Sequence, residues 1–143
     1  MQKKEKTDLL SWYLLFASWI VATIAMLGSL FFSEIMLFPP CVMCWYQRIC
    51  MYPLVVIFLV ALISPDRSVI KYSFPLVFLG IFLAGYQNLL HYGIIPESAQ
   101  PCTQGVSCTS IYINWFGFLT IPMLSLIAFT IIAIFLTILK RRF

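Results

Sequence analysis

Charge is what this chain has least of. Only 10% of its 143 residues are Asp, Glu, Lys or Arg, and just five of them are acidic. Beside 62% hydrophobic residues, so little charge excludes a soluble domain. A domain of this size has too much surface for its volume to hide that many apolar side chains. A glycine-rich phosphate loop and a dinucleotide fingerprint are both missing, as are internal repeats and low-complexity tracts. Strand periodicity is missing too, and the apolar runs are far too long for barrel strands. The lipid bilayer is the expected solvent.

The formal net charge of +4 does not indicate a nucleic-acid surface. Lys3, Lys4 and Lys6 stand at one terminus and Lys140, Arg141 and Arg142 at the other. Basic clusters placed this way act as topology determinants.

Four long apolar runs account for most of the rest. A helix needs about 20 residues to cross the hydrocarbon core. Spans are expected at about 9–33, 42–64, 72–91 and 112–139, forming one all-α domain, a four-transmembrane-helix bundle over 1–143. The first run is too long for the apolar part of a signal peptide and lacks a small-residue cleavage pattern before Glu34, so it is expected to stay as a helix. Pro53, Pro75 and Pro122 are expected to kink helices without ending them. Gly80 and Gly85 should let helices approach closely, while Trp12, Trp45 and Trp115 suit aromatic belts at the membrane interface.

The N-terminal tail, the connector holding Arg67 and Lys71, and the C-terminal basic cluster fall on one side of such a bundle. They contain eight of the nine basic residues, which places both termini in the cytoplasm (N-in/C-in). Loops 34–41 and 92–111 then face outward, in the manner of a multi-pass membrane protein.

Cysteine placement is the most informative feature. Cys41 and Cys44 straddle the outer start of the second span, and Cys102 and Cys108 lie in the second outer loop with Gly105 between them. All four map to the side where disulfides persist. Cys50 falls two turns deeper and is expected to be a small buried hydrophobe. Pro39 and Pro40 stop the helix from running back through Cys41. That residue is thus near the N-cap, where unpaired backbone donors and the helix dipole favour a thiolate. Two exofacial cysteine pairs on four spans point to two exchanging dithiol centres. Zinc or iron–sulfur ligation by the same thiols is the competing reading, against which the wide Cys102–Cys108 gap counts.

Arg48 lies one turn beyond Cys44, just below the expected membrane surface. A cation there is costly unless it snorkels or is used, and no carboxylate lies in the outer half of any span to pair with it. Its functional reading is to stabilise a Cys44 thiolate and the charge developing on a quinone oxygen. Gln47 offers a hydrogen bond at the same level. His91, the only histidine, lies at the outer end of the third span and can hydrogen-bond or protonate a quinone oxygen near neutral pH.

The string Cys41-Val-Met-Cys44-Trp-Tyr-Gln47-Arg48 closely resembles the start of the second helix in the DsbB family of membrane thiol oxidases. With Met51-Tyr52-Pro53 and Pro101-Cys102…Gly105…Cys108, the chain is most similar to that family's small Gram-positive BdbC branch. The resemblance implies redox-active disulfides Cys41–Cys44 and Cys102–Cys108. In that relay an extracytoplasmic thioredoxin-like DsbA/BdbD-type partner is oxidised by the loop pair, with Cys102 forming the mixed disulfide. The loop pair is then reoxidised by Cys41–Cys44, and Cys44 faces a membrane quinone, menaquinone in preference to ubiquinone. The resemblance also implies that Arg48 supports the adduct of Cys44 with the quinone and that His91 lies near the quinone. This chain departs from the Gram-negative members in its short Cys102–Cys108 spacing. Two other readings stand beside it: a vitamin K epoxide reductase-like enzyme, and a non-catalytic thiolate metal-binding or assembly factor. Gln47-Arg48 after the outer cysteine pair favours the DsbB resemblance over the first of these.

Overall fold

A computed structural model describes residues 2–35, 42–92 and 121–142. Four α-helices make up nearly all of it: α1 (Gln2–Leu30), α2 (Val42–Ile63), α3 (Ser68–His91) and α4 (Ile121–Arg142). A π-helical turn, Phe31–Ile35, continues α1. Each helix holds an apolar stretch long enough to cross a membrane. The 22 residues of α2 reach about 33 Å at a rise of about 1.5 Å per residue, against a hydrocarbon core of about 30 Å.

Each helix packs on the next, and α1 packs on α4 to close the ring. One stripe per helix faces inward at alternating spacings of three and four residues, such as Leu15, Ser18 and Ala22 on α1 or Phe129, Ile132, Leu136 and Leu139 on α4. The distribution of polarity is the reverse of a soluble bundle's. Ser11, Ser18, Gln47, Ser73, Gln87 and Asn88 are buried, while Ile24, Ile63, Phe78 and Phe82 are among the exposed residues. A continuous apolar exterior of this kind is matched by lipid. Hydroxyls toward the outside donate to their own helix, as Thr23 does to the Trp19 carbonyl (2.8 Å) and Thr130 to that of Leu126 (2.7 Å). That leaves no polar group to be solvated by hydrocarbon at those positions.

Helix ends differ from the apolar runs in the sequence. Whereas the third uncharged run begins at Tyr72, α3 begins at Ser68; α4 runs on to Arg142. Hydrocarbon thickness limits the uncharged stretch, but the backbone ladder continues into charged flanks for as long as its groups find partners. The expected start of the fourth span, 112–120, lies outside the described residues. Helices α2 and α3 continue through Pro53 and Pro75, and Pro122 occupies the first turn of α4, where its missing N–H costs nothing.

Asp66 secures the start of α3. Hydrogen bonds from the Ser68 hydroxyl, the Ser68 amide and the Arg67 amide hold its carboxyl below the usual carboxylate range. A depressed folded-state pKa stabilises the fold above the unfolded value and loses that contribution as the pH falls through the folded one. Protection of the Val69 and Ile70 amides, relative to their intrinsic exchange rates, is therefore expected to be highest at neutral pH and to fall below about pH 4. Asp66→Ala should show low protection at both pH values; wild-type protection that stays constant down to about pH 2 would remove Asp66 from this account.

The two glycines of α3 behave differently. A Cβ at Gly80 would overlap the Phe129 ring, whereas one at Gly85 meets nothing on another helix within 4 Å among the described residues. Among these residues Gly80 is thus a point of close approach to α4 and Gly85 is not, contrary to the expectation for Gly85. Gly80→Ala is expected to cost about 1–3 kcal/mol by overpacking. Thermal unfolding of Gly80→Ala, Phe129→Ala and the double variant in detergent would test this. Coupling is expected, with the double variant less destabilised than the sum of the singles.

Candidate functional site

Connectivity brings four helix ends together: the close of α1 with its π turn, the starts of α2 and α4, and the close of α3. On α2, Cys44, Gln47 and Arg48 occupy one face because they are three and four residues apart. Gln47 points into the bundle and is 7% exposed; Cys44 and Arg48 lie half-buried on its shoulder.

A chain of hydrogen bonds crosses this end of the bundle. The Ser125 hydroxyl of α4 donates to Gln47 Oε1 (2.6 Å), and Gln47 Nε2 donates to Gln87 Oε1 of α3 (2.5 Å). Gln87 Nε2 then donates to Cys44 Sγ (3.6 Å). Gln87 is 2% exposed, so an unpaired amide there would cost about 1–3 kcal/mol. Each amide satisfies the next, and the series ends on sulfur. Next to it, Asn88 donates to the Ala84 carbonyl (2.8 Å), while its buried Oδ1 has no partner among the described residues.

Arg48 is held inside the rim of the bundle and does not simply extend to water. Its Nη2 donates to the Ser29 carbonyl (3.0 Å), and its guanidinium carbon stands 5.2 Å from the centre of the Trp45 ring. Ser29 lies where α1 changes to its π turn. Amides in a π turn reach five residues back instead of four, so carbonyls at the changeover become available to other donors. Trp45 is accordingly both an exposed rim aromatic and a cation–π partner.

Of the residues singled out in the sequence, Cys44, Gln47 and Arg48 come together at this end. His91 is the last residue of α3, one turn beyond Gln87, but its side chain lies outside the described residues. Cys41, Cys102 and Cys108 lie outside them as well. Cys50 is 2% exposed within the core formed with Met51, Leu54 and Phe58, away from the polar chain. Gln87, Ser125 and the Ser29 carbonyl were not foreseen. The adjacent pair Gln87-Asn88 inside an otherwise apolar span was the available signal, since buried amides in a membrane helix are costly.

Arg67, Lys71, Lys140, Arg141 and Arg142 belong to the opposite end of the bundle, where Lys140 stands over the Phe74 ring. The two ends thus differ in kind, one basic and the other carrying thiol, amides and a single held cation among the described residues.

Comparison with known proteins agrees with this geometry. The profile of the family described as "Disulfide bond formation protein DsbB" matches residues 10–139. "Disulfide bond formation protein C" of Bacillus subtilis (strain 168) is 52% identical over 130 residues, covering 88% of this chain and 91% of the relative. A "Probable disulfide formation protein" of Metapseudomonas resinovorans is 45% identical over 134 residues, 93% of each chain. "Probable disulfide formation protein C" of Halalkalibacterium halodurans is 48% identical over 125 residues, 85% of this chain and 88% of the relative. No solved structure matches. A four-span bundle with a thiol at its polar end, matched by this profile over most of its length, belongs to the DsbB family of membrane proteins that exchange thiols and disulfides with a quinone partner.

Proposed function

We propose that this chain is a quinone-dependent protein disulfide oxidoreductase. In this reading it reoxidises an extracytoplasmic DsbA/BdbD-type thiol oxidase and passes two electrons to a membrane quinone, menaquinone in preference to ubiquinone. The observation that carries the proposal is the position of the Cys44 sulfur. It meets a buried amide donor on one side, and Arg48 follows it by one helical turn on the same face of α2.

The residues present suit a quinone. Its carbonyl oxygens need donors or a cation, which Arg48 would supply, and His91, the last residue of α3, is the candidate to carry a proton. Its apolar tail needs access from lipid, and Trp45 and Ile49 are exposed beside Cys44 and Arg48 on α2. Gln47 has both ends of its amide engaged within the bundle, so its contribution is to hold Gln87 in place. When bound, the quinone serves as a two-electron, two-proton acceptor.

The chain's own chemistry is thiol–disulfide exchange. A partner thiolate attacks Cys102 of the Cys102–Cys108 disulfide, and the partner's second thiol resolves the mixed disulfide, leaving the loop pair reduced. The loop dithiol reduces Cys41–Cys44 in the same way, and two electrons and two protons leave as that disulfide re-forms. Arg48 favours negative charge at the point of exit, on sulfur first and then on an oxygen. Basic residues gathered at the end away from Cys44 support an orientation with both termini in the cytoplasm and the thiols on the extracytoplasmic face.

Anaerobic mixing of the purified protein with a reduced thioredoxin-like substrate and menaquinone tests the proposal. One quinol should appear for each substrate disulfide formed. Stoichiometric zinc with neither extractable quinone nor quinol production would favour the thiolate metal-binding reading instead.

A further inference from the structure

The polar chain has a direction, and that direction ends at Cys44. All three bonds run the same way, from the Ser125 hydroxyl through Gln47 and Gln87 to the sulfur. If both amides were turned over, a carbonyl oxygen would face Cys44 instead. A carbonyl there accepts from a thiol; an N–H there favours a thiolate or an electron-rich sulfur. The polarity of the chain therefore decides which form of Cys44 the bundle prefers.

The geometry points to Gln87 as a positioning residue that keeps Cys44 reactive, with Ser125 on α4 steadying it through Gln47. The inference deepens the proposed redox function and rests on it for its biological meaning. Burial of the two amides, 7% exposed at Gln47 and 2% at Gln87, removes the water that would otherwise solvate either orientation equally. The Ser125 hydroxyl steadies Gln47 by donating to its Oε1, and without it that oxygen loses its donor among the described residues. No group in the relay titrates near neutral pH, so what it transmits is orientation, not a proton.

A thiol-specific test needs neither quinone nor partner protein. In the full-length protein, with Cys41, Cys102 and Cys108 replaced by Ser and Cys50 by Ala, iodoacetamide reacts at Cys44. The rate at neutral pH reads how well that sulfur is activated. Gln87→Leu removes the donor to sulfur while keeping a side chain of similar size. It is expected to slow alkylation about threefold or more, because a lower thiolate fraction outweighs the greater nucleophilicity of each thiolate. Ser125→Ala should slow it by a smaller factor, and Ser125→Thr, which restores a hydroxyl, should return it to the parent rate.

The sign of the effect separates positioning from mere packing. If these residues only held the helices together, their loss would loosen the bundle, expose Cys44 and speed alkylation. Faster or unchanged alkylation in Gln87→Leu overturns the inference, as does equal slowing by Ser125→Ala and Ser125→Thr. Helical circular dichroism on each variant confirms that folded protein is compared. Absence of quinone reduction by the wild-type protein would sink the proposed function while leaving this result standing.

Discussion

Cys44→Ala is expected to abolish quinol formation coupled to partner oxidation, lowering the anaerobic turnover rate by on the order of a thousandfold or more. Two electrons leave a dithiol cleanly only when a second sulfur is there to close the disulfide. Without Cys44, Cys41 has no neighbour on α2 with which to do so. Cys50 cannot replace it, because it lies six residues further on, packed against Leu54 and Phe58 in the core. The loss should be chemical and not structural. Cys44 is half-buried, so shortening it leaves no closed cavity, and the main structural consequence is an N–H of Gln87 without its sulfur. Cys44→Ser separates these effects. Its hydroxyl accepts from Gln87, so its thermal stability should stay near that of the wild type, while its turnover falls as far as that of the alanine variant. Turnover within about tenfold of wild type in both variants would remove Cys44 from the electron path.

The fold was readable from the sequence because bilayer thickness imposes a length that does not depend on tertiary packing. Four runs of sufficient length and short connectors leave little choice beyond an antiparallel ring. What could not be read was the rotation of each helix within the ring. In a soluble helix the polar face marks solvent and so identifies the buried face. Here lipid replaces solvent, and residues such as Phe78 and Phe82 on the outside are as apolar as Val77 and Phe129 inside. For the same reason Gly80 and Gly85 were indistinguishable until the Phe129 ring was seen against one of them.

The site divides along the same line. Cys44, Gln47 and Arg48 share one helix, and their spacing alone puts them on one face. Gln87 and Ser125 join them only because α3 and α4 are rotated to present those positions to α2. Nothing local distinguishes Ser125 from Thr130, which bonds to its own helix. The π turn at Phe31–Ile35 is equally silent in sequence, yet it lies beside the carbonyl that anchors Arg48.

That anchoring sharpens what Arg48→Met should do. Methionine fills a similar volume with an unbranched apolar chain but removes the charge, the bond to the Ser29 carbonyl and the stacking on Trp45. Hydrogen bonds to charged groups contribute about 1.5–3 kcal/mol, so the apparent quinone KM is expected to rise about tenfold to a hundredfold. The Cys41–Cys44 and Cys102–Cys108 disulfides should still form when oxidant is supplied chemically, because thiol exchange among cysteines does not require the cation. Arg48→Lys gives the finer reading. Lysine keeps the positive charge as a compact point but lacks the planar fork that can hold a carbonyl with one nitrogen and present others to a ligand. Its KM should fall between those of wild type and Arg48→Met. A snorkelling arginine predicts a different pattern, in which lysine and arginine are equivalent and KM is unchanged in all three. If KM stays constant while thermal stability drops in Arg48→Met, the guanidinium serves to tie α2 to the end of α1. The acceptor site must then be sought on another face of Cys44.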